Sequence, residues 1–157
     1  MKRHDPLSYA LYLLGRRGRT HYELRSKLFE KGYSAEEIDQ TLRRLVELKL
    51  LDDKKFAAHY ARDKVAIYRR GRYRIGLELL RKGVDKETVD QTLADIDQTD
   101  ELTAAESLLK GRSRQWQDLP ERKRFERATH LLQRRGFSGK VVRQAIENFE
   151  EIKKDRP

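Results

Sequence analysis

Apolar residues along this chain fall into one pattern that occurs three times. Glycines at 32, 83 and 136 mark its phase. Four residues before them stand Leu28, Leu79 and Leu132, and directly after them Tyr33, Val84 and Phe137. Six residues on are Ile38, Val89 and Val142, and ten on are Leu42, Leu93 and Ile146. Leu45, Ile96 and Phe149 complete the series at thirteen. The last three positions share one stripe of an α-helix. Each glycine suits the left-handed residue that ends the preceding helix. Ser34, Asp85 or Ser138 then offers a side-chain oxygen to the first free N–H groups of the next helix. Ser34 with Glu37 has the spacing of a capping box. The pattern therefore predicts helix, three-residue turn, helix in each unit.

A further helix precedes each pair. Asp5-Pro6 reads as an N-cap followed by proline at the first helical position, with Leu7 to Leu14 behind it. Asp53 is expected to cap a helix over Phe56 to Tyr68, with Phe56, Tyr60, Ala61, Val65 and Tyr68 on its core face. Thr99 or Asp100 is expected to open the corresponding helix through Leu109. The middle helix starts at Thr20 in the first unit, with Glu23 three residues on, and at Pro120 in the third, after a longer loop at 111–119. The tail from Glu151 to Pro157 is charged and expected to fray. The prediction is an all-α chain of nine helices in three tandem helix-turn-helix-like repeats at 1–50, 51–97 and 98–157. Two further echoes support duplication: 16–19 and 69–72 both read Arg-Arg-Gly-Arg, and 40–42 and 91–93 both read Gln-Thr-Leu. Repeats of this length determine architecture.

Composition narrows the function. The 157 residues include 36 basic and 26 acidic ones, a net charge of +10, which favours an anionic partner. Cysteine is absent, which excludes disulfides, thiolate metal sites and a cysteine nucleophile. No apolar run is long enough to span a membrane, and the N-terminus lacks the apolar stretch of a secretory signal. The expectation is a soluble, cytoplasmic monomer.

In the first two units the basic residues avoid the place where a helix-turn-helix protein reads DNA; only the third, with Lys140 and Arg143, suits such docking. The third helix of a unit would enter the major groove by its N-terminal residues. Here these are Glu36, Glu37 and Asp39, or Glu87 and Asp90, whose carboxylates would face phosphates. The cations gather instead between the first and second helices. Arg16, Arg17 and Arg19 lie there in the first unit, and Arg69, Arg70, Arg72 and Arg74 in the second. Arg81 and Lys82 follow. From Arg62 to Lys82 there are eight basic and two acidic residues. In the third unit Lys110, Arg112, Arg114, Arg122, Lys123 and Arg124 flank the loop. Lys and Arg at a helix C-terminus also meet its dipole, so part of this charge has a structural reading. Arginine suits bidentate contacts to phosphate or carboxylate. Arg69, Arg70, Arg72, Arg74, Arg81, Lys82, Arg16, Arg17 and Arg19 are the candidate binding residues for nucleic acid or an acidic protein. Tyr73 could stack on an unpaired base, Tyr68 belongs with its helix core, and Trp116 reads as an anchor for its loop.

Catalytic chemistry finds no constellation. His59 and Asp63 share a helix face at the spacing of two metal ligands but lack a third, and no phosphate-binding loop or nucleophile elbow is present. No catalytic residue, cofactor or metal is expected.

Three longer stretches stand out: Ala10-Leu-Tyr-Leu-Leu-Gly-Arg-Arg, Glu23-Leu-Arg-Ser-Lys-Leu-Phe-Glu-Lys-Gly and Leu51-Asp-Asp-Lys-Lys-Phe-Ala. Arg62-Asp-Lys, Gly71-Arg-Tyr-Arg-Ile, Glu78-Leu and Arg81-Lys-Gly-Val follow in order. In this order and spacing they resemble the RecX family of regulators of RecA-type recombinases. The resemblance implies an elongated, curved array of three three-helix repeats without catalytic residues. It implies binding to the recombinase filament on single-stranded DNA, within the filament groove. It also implies restraint of filament growth, ATP hydrolysis, strand exchange and co-protease activity, and so a place in recombination, DNA repair and the SOS response. The residues alone leave two other readings open: a non-specific DNA-binding protein that acts by occupying DNA, and a helical adaptor for an acidic partner.

Overall fold

A computed structural model describes residues 4–155. Among them the chain forms nine helices and no strand. They are α1 (Pro6–Arg16), α2 (His21–Glu30), α3 (Ala35–Glu47), α4 (Asp53–Ala66), α5 (Arg72–Arg81), α6 (Lys86–Ala94), α7 (Gln98–Arg112), α8 (Glu121–Arg134) and α9 (Gly139–Lys154).

The anchor glycines behave as the pattern requires. Gly32, Gly83 and Gly136 have φ of +88°, +80° and +86°. At each, the following N–H reaches back to the carbonyl of Leu28, Leu79 or Leu132, closing the helix with a Schellman turn. Those three leucines are fully buried, as are Leu45 and nearly so Ile38 and Leu42. Each buried leucine contributes roughly 1.5–3 kcal/mol. Leu93, in the shorter α6, and Ile96, just beyond its end, are only half-buried. Ser34 and Glu37 form both bonds of the capping box. Asp5, Thr20 and Ser138 cap α1, α2 and α9, and Asp85 receives the N–H of Thr88.

Four expectations are corrected. Asp52, not Asp53, accepts from Lys55 at the start of α4, because Asp53 is turned to another helix. Asp97, not Thr99 or Asp100, caps α7 by accepting from Thr99 N; a carboxylate two residues earlier outcompetes the hydroxyl. Tyr68 lies beyond the end of α4 and is 50% exposed, so it is not core. The tail is helical through Lys154, and its last residues, 156–157, lie outside the described part.

The chain divides into two compact units. The first runs through His59 and includes Leu79–Val89; the second takes Tyr60–Glu78 and everything from Asp90. In the first, Ala10, Leu13, Leu24, Leu28, Tyr33, Ile38, Leu42, Leu45 and Leu51 make one core. In the second, α9 packs on α7 and α8 and buries Val141, Val142, Ala145 and Ile146. Trp116, 5% exposed, anchors the turns that follow α7, as expected.

One joint occurs in each unit. In the first, Thr20 Oγ1 donates to the Lys82 carbonyl at 2.5 Å, and His21 N donates to Asp53 Oδ1 at 2.9 Å. In the second, Gly71 N donates to the Arg135 carbonyl at 2.8 Å, and Arg72 N donates to Glu101 Oε1 at 2.9 Å. The free N–H groups that begin the second helix of one repeat are thus met by the following repeat. A carbonyl just before its anchor glycine takes one, or takes the capping hydroxyl, and a carboxylate of its first helix takes another. The glycine is bare so that backbones can meet. A Cβ on Gly83 would strike the Tyr22 side chain, and one on Gly136 would strike the Arg74 backbone.

Candidate functional site

The joint of the second unit brings the segment 69–74 onto the turn at 134–136. Tyr73 N donates to the Gly136 carbonyl at 3.0 Å, and a Cβ on Gly71 would strike the Phe137 nitrogen. This contact gathers arginines that the sequence separates widely. Arg135 is half-buried, and its Nη1 donates to the Tyr68 carbonyl at 3.1 Å. Burial first, and then the charges of Arg74, Arg70, Arg112 and Arg69, hold its guanidinium below the ordinary arginine value. Four arginines are therefore close enough to repel Arg135, the electrostatic condition of an anion site.

The four arginines of the 69–74 segment differ in what they do. Arg69 is exposed, has no acidic partner among the described residues, and sits at φ +50°. A left-handed conformation costs a non-glycine residue roughly 1–2 kcal/mol. Arg70 and Arg74 both reach Glu78 Oε1, at 2.6 and 3.1 Å, and Tyr60 donates to its other oxygen at 2.7 Å. Burial alone would raise the Glu78 carboxyl; the bonds from Tyr60, Arg74 and Arg70 outweigh it and hold the carboxyl below its usual value. Arg74 remains nearly half exposed. Arg72 works inside the fold: its guanidinium meets Glu101 Oε2 at 2.7 Å, and that carboxylate is fully buried. The expectation of one outward cluster is narrowed accordingly to Arg69, Arg74 and, in part, Arg70. Tyr73 is 61% exposed beside them, and Lys64 Nζ lies 3.8 Å from the centroid of the Tyr68 ring.

The first unit uses its cations more locally. Arg16 is exposed and donates to the Tyr12 hydroxyl at 3.0 Å. Arg17 and Lys82 each reach Glu23 at 2.9 Å. Burial raises the Glu23 carboxyl, but Lys82 and Arg17 together bring it below its usual value. Arg19 is half-buried against the Leu13 carbonyl, and Arg81 is exposed.

Sequence reasoning does not reach Arg134, Arg135 and Arg127. Arg134 and Arg135 end α8, where basic residues have a dipole role, and Arg127 lies in mid-helix, where a lone cation reads as solvated surface. The backbone contact at Gly71 and Gly136 gives Arg135 its neighbours on the 69–74 segment.

Residues 7–45 match the family model for the first three-helix domain of RecX, and residues 52–93 that for the second. The chain belongs to the RecX family. A regulatory protein RecX from Mycobacterium sp. (strain JLS) is 39% identical over 143 residues, covering 88% of this chain and 78% of that protein. One from Prosthecochloris aestuarii is 34% identical over 147 residues, covering 91% and 92%. The crystal structure of RecX from Lactobacillus salivarius has the same fold, with a TM-score of 0.86 over 92% of this chain and 94% of that one, at 22% identity. These RecX relatives are named as regulatory proteins. Among the described residues no helix is long and apolar enough to cross a membrane.

Proposed function

We propose that this protein regulates a RecA-type recombinase by binding its filament on single-stranded DNA, with a mainly inhibitory effect. Filament growth, ATP hydrolysis, strand exchange and co-protease activity would all be restrained. The observation that carries this reading is the arginine cluster that the Gly71–Gly136 contact gathers around Arg135, compensated only in part by Glu78, in a chain whose relatives are named as regulatory proteins. Arg69, Arg74 and Arg112 offer their charge outward. Arg16 and Arg81 add exposed cations elsewhere on the same chain. A protein with three repeats, at 1–50, 51–97 and 98–157, can engage several filament protomers through weak linked contacts, and linkage raises their effective concentration.

Titration into a filament ATPase assay with DNA in excess tests the proposal. Wild-type protein inhibits well below the amount needed to coat the DNA. Arg69→Ala/Arg74→Ala stays folded and needs about tenfold more protein, ~1.4 kcal/mol in binding. Unchanged inhibition by that variant, or inhibition only at coating stoichiometry, defeats the proposal. The second outcome favours the alternative of simple DNA occupancy.

A further inference from the structure

A groove of about 520 Å³ lies in the second unit, and no residue of the 69–74 segment lines it. Arg112, Arg127, Arg134 and His130 line it, with Gln115 and Gln133. Its lining holds no carboxylate. Arg127, His130 and Arg134 stand at i, i+3 and i+7 of α8 and so share one face. Arg112, at the end of α7, closes the other side, held by a 3.1 Å bond to Gln115. Neither Arg127 nor Arg134 has an acidic partner among the described residues. Three guanidinium groups thus converge on one concave site without compensation.

We propose that this groove binds the sugar–phosphate backbone of single-stranded nucleic acid. A strand carries a charge at every phosphate, and successive phosphates can meet successive guanidinium groups. The volume is that of a small-ligand cleft, about 300–1,000 Å³, with room for a short stretch of one strand and none for a duplex. Leu131 and the edge of Trp116 supply an apolar floor for sugar and base. The two glutamines can donate to and accept from base edges, which a run of carboxylates on a peptide would leave unused. Arg112 also belongs to the cluster around Arg135, so the site continues a basic tract within the same unit.

Arg127→Ala/Arg134→Ala is the test, read by fluorescence anisotropy with a labelled oligothymidylate and no recombinase present. Affinity at low salt falls at least tenfold. The slope of log K against log salt becomes shallower by about 1.4, from two lost contacts at ~0.7 each. The melting curve stays unchanged, since neither arginine has an acidic partner to lose. Unchanged affinity and slope overturn the proposal. So does poly-glutamate binding with equal affinity and equal dependence on these two arginines. Because the recombinase is absent, this result and the ATPase titration can fail independently.

Discussion

Gly18 and Gly71 occupy the same place in two copies of Arg-Arg-Gly-Arg, yet their surroundings differ. A Cβ on Gly18 would lie 3.7 Å from the Phe56 ring, an ordinary contact. One on Gly71 would meet backbone of Gly136 and Phe137, which cannot rotate away. Gly18→Ala is expected to leave the melting temperature within a few degrees, whereas Gly71→Ala lowers stability by at least ~1–3 kcal/mol, as thermal denaturation will report. Arg69 and Arg72 make a similar contrast. Arg72→Ala strands the buried Glu101 carboxylate, at a cost of about 3–5 kcal/mol; Arg69→Ala leaves the denaturation midpoint nearly unchanged. Equal loss in the two variants would contradict this division. The sequence displays four similar arginines here. It cannot display that one of them faces a carboxylate 29 residues away, since that pairing exists only after the joint forms.

Helices in this protein are legible where their signals are local. Pro6 after Asp5, Ser34 with Glu37, and glycine before Ser138 each act within a few residues, and each is found as expected. Asp52 and Asp53 show the limit: both can cap α4, and the choice falls to Asp52 because α2 takes the other carboxylate. Acidic groups tie the elements together in a way pH will reveal. Glu23 is held by Lys82 and Arg17, Glu78 by Tyr60, Arg74 and Arg70, and Glu150 by Arg124, and all three titrate below their usual value. A depressed carboxyl stabilises the fold fully above the unfolded value, ~4.3 for Glu, and loses that contribution as pH falls through the folded value. Denaturant midpoints are therefore expected to be level above about pH 5 and to drop steeply below pH 4. Glu78→Gln flattens part of that drop; an unchanged acid limb in that variant would contradict the assignment.

For the whole molecule, the period of apolar residues carries the architecture, because every helix must bury one stripe. The joints stay hidden, since a carbonyl, a bare glycine and a distant carboxylate leave no periodic trace. The groove beside Trp116 stays hidden for the same reason. The third repeat departs from the first two at its second helix: α8 has 14 residues where α2 and α5 have 10. Its extra turn lies at the N-terminal end, and the N–H groups that would meet a following repeat are bonded within the helix instead. Gly32, the glycine of the first repeat, has nothing within 4 Å of where its Cβ would be. The joint therefore has a history as well as a geometry. The middle copy of the three-helix segment carries both halves of the fastening, one at the start of its second helix and the other at its glycine turn. A tandem duplication thus delivers a segment already able to attach to its parent, and a few residues inserted ahead of the second helix, as in α8, suffice to withdraw that half of the fastening.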